Sequence, residues 1–246
     1  MRASAPIVLA ATAAIAGVLP GCGQPKTQGP PRATAPGRQD GRVADSTLFT
    51  TGDYEGCPPE GNGGDYHLNR LKNRDVPPPG HQLFTIRQLL ENRPRAAIAM
   101  GRTDRAFWTE EARAEVAEWE STGAVIEGHL LRAKLMGPES CNCTRKDRRD
   151  YHVWIGEEPG GDRSRSVIAE VSPRMLPAHP NWRLRILSRL ARQGARVRLT
   201  GWLLWDQEHP EQVGLTRGTQ WELHPIHEIQ VFSGGRWRDL DGDRAQ

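Results

Sequence analysis

The chain has 246 residues, 26% of them charged, and a formal net charge of +3 at pH 7, with a mean hydropathy of −0.64. That balance excludes a protein built mainly of membrane spans and leaves room for one or two small domains once a leader is removed. Lysine occurs only at Lys26, Lys72, Lys134 and Lys146, so the abundance of arginine is discounted as a signal for nucleic acid.

Met1 and Arg2 provide a short positive start, Ala3 to Pro25 carries no charge, and Ile7 to Val18 is dominated by Ala, Val, Leu and Ile. This is the layout of a secretory signal. It ends in Leu19-Pro20-Gly21-Cys22, which resembles the bacterial lipobox and implies lipidation of Cys22. The expected organisation is a signal peptide over 1–21 and a disordered tether over 22–46, where Pro25, Pro30, Pro31 and Pro36 and the lack of large apolar residues prevent a core.

Residues 47–122 read as a partly irregular arm with short helices. Cys57 to Asp65 is loop chemistry, Asp65 caps a short helix through Leu71, and Val76-Pro77-Pro78-Pro79-Gly80 breaks it. Thr85 to Asn92 is a second short helix ended by Pro94. Thr109 to Thr122 is a clear helix, with Thr109 as N-cap, Glu110 and Glu111 at its positive end, and Gly123 after it.

From Gly123 the pattern becomes strand-like: Val125 to Leu135 with a bend at Gly128, then Tyr151 to Ile155, then Val167 to Val171. An amphipathic helix follows, up to Gln193, with Leu184, Leu187 and Leu190 on one face and Arg185, Arg189 and Arg192 on the other. Arg196 to Trp205 is the fourth strand; Gln220 to Leu223 and Ile226 to Phe232 form the fifth, interrupted at Pro225. The order β-β-β-α-β-β over 123–240 is that of a five-stranded OB-like barrel, preceded by a helix and followed by a short tail over 241–246.

Several phrases are characteristic as sequence: Gly63-Gly64-Asp65, Leu68 to Arg74, Gly137 to Ser140, Asp150 to Ile155, Glu170-Val171-Ser172-Pro173 with His179-Pro180, Gly201 to Leu204 with Asp206 and Glu208-His209-Pro210, and Trp221-Glu222-Leu223-His224-Pro225-Ile226. On these, the chain from about Cys57 to Leu240 resembles a bacterial family of uncharacterised OB-like proteins. The resemblance implies no reaction.

No G-x-S-x-G elbow, H-E-x-x-H helix or G-x-x-x-x-G-K-[ST] loop is present. The candidate polar or metal cluster is His152, Glu170, Asp206, His209, Glu222 and His224, which could meet if the second, third and fifth strands share one face. The favoured expectation is that these side chains fix loops and strand ends without all converging. The candidate stacking or basic face is Trp202, Trp205, Arg185, Arg189 and Arg192, since OB barrels stack bases or sugars on aromatics. In an oxidising compartment Cys57 would pair with Cys143 or, as the second choice, with Cys141.

The sequence therefore points to a lipid-anchored protein of the bacterial cell envelope, in the outer membrane if the cell is Gram-negative, with a binding or scaffolding barrel. Its expected partners are the lipid bilayer and a glycan or envelope protein, with nucleic acid disfavoured. No cofactor is expected apart from a divalent metal, on which the alternative, a metal-dependent hydrolase using the His/carboxylate cluster, would depend.

Overall fold

In the arm, α1 (Tyr66–Lys72) starts where Asp65 accepts a hydrogen bond from the Leu68 amide. Next come β1 (His81–Phe84), α2 (Ile86–Glu91) with a capping box from Thr85 and Gln88, and α3 (Arg95–Met100). The last arm helix, α4 (Glu110–Glu120), is capped by Thr109 as expected. The computed structural model describes residues 50–242, so the signal-like segment, Cys22, the rest of the stretch before residue 50 and residues 243–246 lie outside the described residues. The described residues all belong to one contact unit.

The strands are β2 (Gly123–Leu135), β3 (Tyr151–Gly156), β4 (Val167–Val171), β5 (Arg196–Trp205), β6 (Trp221–Ser233) and β7 (Arg236–Asp239), with α5 (Leu184–Arg192) between β4 and β5. Antiparallel pairs join β2 to β3, β3 to β4, β6 to β5 and β5 back to β2, while β4 and β6 run parallel. The ring β2-β3-β4-β6-β5 is closed. With a helix between its third and fourth strands, this is the expected OB barrel.

β2 serves three partners. Its first half lies between β5 and the parallel strand β1, and its second half pairs with β3. The handover occurs at Gly128, where an added Cβ would come within 2.6 Å of Ile155 Cγ2. Two expectations need correction. β1 and α3 were not anticipated, because His81-Gln82-Leu83-Phe84 has almost no buried alternation and is a strand only by virtue of its partner. β6 also runs through Pro225 without interruption. Gly201 opposite it makes this fit: a Cβ there would sit 2.4 Å from the Pro225 carbonyl oxygen, and the ladder shifts register at that point.

The core fills the barrel with Ile126, Val153, Ala169, Leu199, Leu203 and Leu223, and the arm extends it with Phe84, Ile86, Leu89, Ala97 and Trp108. The arm is therefore part of the hydrophobic core. Its polar joint is Arg105. The guanidinium makes two 2.7 Å bonds to the Glu120 carboxylate and donates to the Trp205 carbonyl and the Gln207 side chain. All four groups are buried. Cys57 and Cys143 form a disulfide that ties the start of the arm to the 136–150 connection, and Cys141 is free and buried.

Two predictions follow from this joinery. Arg105→Ala leaves the buried Glu120 carboxylate unpaired and is expected to cost about 3–5 kcal/mol in urea unfolding; a loss below about 1 kcal/mol would show that the pair is solvated. Cys57→Ser opens a loop of 86 residues and is expected to cost about 4–5 kcal/mol on the chain-entropy scale. In that variant Cys143 should react with an alkylating reagent in the native state, while Cys141 reacts only after denaturation.

Candidate functional site

Strand alternation sends Val153, Val171, Ala169 and Leu223 into the core and their neighbours to the opposite face. His152 lies directly across from Glu170 in the β3–β4 ladder, and Glu222 across from Ile168 in the β4–β6 ladder. Glu222 and His224, two apart on β6, share the face. Three segments cover it: the 136–150 connection with Glu139 and Asp150, the 206–220 connection with Asp206, His209 and Arg217, and α1 with Lys72.

The side chains form a continuous chain. His152 Nε2 is 2.7 Å from Glu170 Oε1, and His224 Nδ1 is 3.1 Å from Glu170 Oε2 and 3.5 Å from Glu222 Oε1. Arg217 bridges Glu222 at 2.8 Å and Asp206, whose Oδ2 lies 2.8 Å from His209 Nδ1. At the other end Glu139 Oε1 is 4.0 Å from His152 Nε2, and Lys72 Nζ is 3.2 Å from Glu139 and 2.8 Å from Glu208. Glu222, His224 and Arg217 have no exposed surface, and Asp206, Glu170 and His152 have almost none. The six residues singled out in the sequence thus belong to one network, not to separate strand ends. Four of them share a face, and His209 stands at the far end, joined through Arg217 and Asp206.

Burial dominates the electrostatics. It pushes the Glu170 carboxyl well above the usual range, helped by the charges of Glu222 and Glu139, and raises Glu222 to about 7. It lowers His152 to about 4 and His224 well below the ordinary imidazole value. His152, Glu170 and His224 are therefore neutral near pH 7, and their close contacts are not ion pairs. At the other end burial opposes ionisation of Asp206, but Arg217 and His209 outweigh it and hold that carboxyl well below its usual range. The hydrogen bond to Asp206 lifts His209 to about 8.

The stacking expectation is corrected. Trp202 is fully buried, donates from its indole nitrogen to the Val76 carbonyl and lies under the Arg74 guanidinium; Trp205 faces the core against Trp221. Neither can stack on a ligand, because both rings are buried. Arg185, Arg189 and Arg192 are exposed along α5, as the amphipathic pattern required.

Lys72, Glu139, Asp150 and Arg217 were missed as site residues. Lys72 is a rare lysine in an arginine-rich chain, and it, Glu139 and Asp150 all fall within phrases that carry the family resemblance. Arg217, in a loop between β5 and β6, had no such signal.

No protein-family model matches the chain, and no curated protein matches it in sequence. Among solved structures, a crystal structure of yeast Stn1 and Ten1 is similar at 18% identity and a TM-score of 0.35. The likeness covers 63% of this chain and 65%, slightly under two thirds, of that one. The OB assignment rests on strand order and closure, not on this distant likeness.

The Asp206–His209 pair supplies a pH test. A histidine raised from 6.5 to about 8 contributes stability that is complete below the unfolded value and is lost as pH rises through the folded one. The melting midpoint of His209→Gln should fall furthest below wild type near pH 6, and the gap should close by about pH 9. A gap independent of pH would show that His209 is not charged in the fold.

Proposed function

We propose that the chain is an exported envelope protein, anchored by lipid on Cys22, whose OB barrel serves as a binding or scaffolding module. The observation that carries the non-enzymatic reading is the covering of the barrel face. OB barrels bind oligonucleotides and oligosaccharides on the face of their second and third strands, framed by the loops after the first and fourth. Here those elements are β3, β4 and the 136–150 and 206–220 connections, and the arm lies over them, fastened by the Cys57–Cys143 bond. A hydrolase would need an ion position open to water and substrate. The convergent residues are sealed, so this alternative is the weaker one.

With that face closed, the solvated arginines of α5 are the surface on which an anionic glycan or envelope protein would bind. The charge there is local and does not depend on the sealed network.

The anchor and the surface are tested separately. Wild type should incorporate a labelled lipid precursor and sediment with membranes, and Cys22→Ser should do neither; an unlabelled, soluble wild type would refute the anchor. The triple change Arg185→Glu, Arg189→Glu, Arg192→Glu, in the soluble Cys22→Ser background, is expected to weaken binding to isolated cell-wall glycan several-fold without lowering the melting midpoint. Unchanged binding, or no binding by the parent, would remove the glycan reading of this face.

A further inference from the structure

We propose that the sealed face of β3, β4 and β6 holds one divalent cation of the zinc class, ligated by Glu139, His152 and Glu170, with His224 behind them. This goes beyond the binding-module reading and does not depend on the anchor or on the basic face of α5.

The first support is geometric. One ligand atom from each of Glu139, His152 and Glu170 lies within 4.8 Å of the other two. Ligands about 2.0–2.2 Å from a tetrahedral ion stand about 3.4 Å apart. The observed separations, 2.7 Å from His152 Nε2 to Glu170 Oε1 and 4.0 Å to Glu139 Oε1, straddle that spacing. Changes of about 0.6–0.7 Å in these separations would bring both to that spacing. The set mixes imidazole and carboxylate, which suits zinc more than calcium or magnesium.

The second support is a set of buried polar atoms without partners, led by a histidine. His224 is fully buried, and neither of its ring nitrogens has a hydrogen-bond partner. His152 Nε2, Glu170 Oε2 and Glu222 Oε1 are buried in the same condition, so the 2.7 Å contact between His152 and Glu170 lacks hydrogen-bond geometry. Each buried polar group left unpaired costs about 1–3 kcal/mol. A cation at this point would use the lone pairs of His152 and Glu170, and rotation of the His224 ring would bring in a fourth ligand.

The donor set is rich in carboxyl groups: Glu139, Asp150 and Glu170 each offer an oxygen in this cluster, with Lys72 as the permanent cation beside Glu139. Lys72 engages Glu139 through Oε2, leaving Oε1 turned toward His152. Glu139 is also the most exposed member, at 22% of its side chain, and marks the route of entry.

The test uses full-length protein in mild detergent, purified without a polyhistidine tag, stripped with chelator and titrated with zinc. One equivalent should bind and raise the melting midpoint. Glu139→Gln, at the rim, and His152→Asn should each bind zinc at least tenfold more weakly, and exposed His67→Asn should bind as wild type. Metal content of the protein as isolated gives a second readout if the stripped form unfolds: stoichiometric metal in wild type and loss in Glu139→Gln. The cobalt form should show tetrahedral d–d bands and no thiolate charge-transfer band. Absence of binding, wild-type affinity in both ligand variants, or a thiolate band, which would move the ion to Cys141, each overturns the proposal.

Discussion

The position of Glu170 constrains much of the rest of the structure. Its carboxyl stands on a barrel face that the chain itself covers, within 3.1 Å of His224 and 2.7 Å of His152. A carboxyl so placed cannot rely on water, so its surroundings must be polar, and each polar neighbour then has the same requirement. The sequence of partners that results runs through Glu222, Arg217 and Asp206 until it reaches solvent at His209. Toward the other side it ends at Lys72, whose ammonium keeps its charge despite burial because Glu139 and Glu208 flank it.

The cover over this face is held by its own set of hydrogen-bonded side chains. Arg105 and Glu120 form a fully bonded pair that also grips the Trp205 backbone from both sides, through its carbonyl and its amide. Asn69 and Asn73 satisfy loop carbonyls around residues 59–63 and 141, and Asn73 also accepts from Arg174. These side chains are hydrogen-bonded, whereas His224 in the cluster below has no hydrogen-bond partner on either ring nitrogen.

The barrel was legible in the sequence because its strands alternate and its breaks are marked by glycine and proline. Val167 to Val171 and Arg196 to Trp205 match the observed strands residue for residue. The caps at Asp65 and Thr109 were legible for the same local reason. What was not legible depends on long-range contact. His81 to Phe84 becomes a strand only beside β2, and Trp202 reads as an available aromatic until Arg74 and Val76 are brought to it from the arm. The site was half legible: period-two spacing placed Glu222 and His224 on one face, but the partners that decide their charge, Lys72 and Arg217, come from segments with no strand pattern.

The parallel pairing of β1 with β2 bears on what counts as the smallest autonomous folding unit. Closure of the ring leaves the first half of β2 paired to β5 on one side; on the other side β1 takes the hydrogen bonds of Gly123 to Ile126. A chain shortened to begin at Gly123 would retain every barrel strand and yet present a bare, partly apolar edge, the kind that templates strand addition by a second molecule. The arm segment thus acts as an edge protector, and residue 123 lies inside one contact unit.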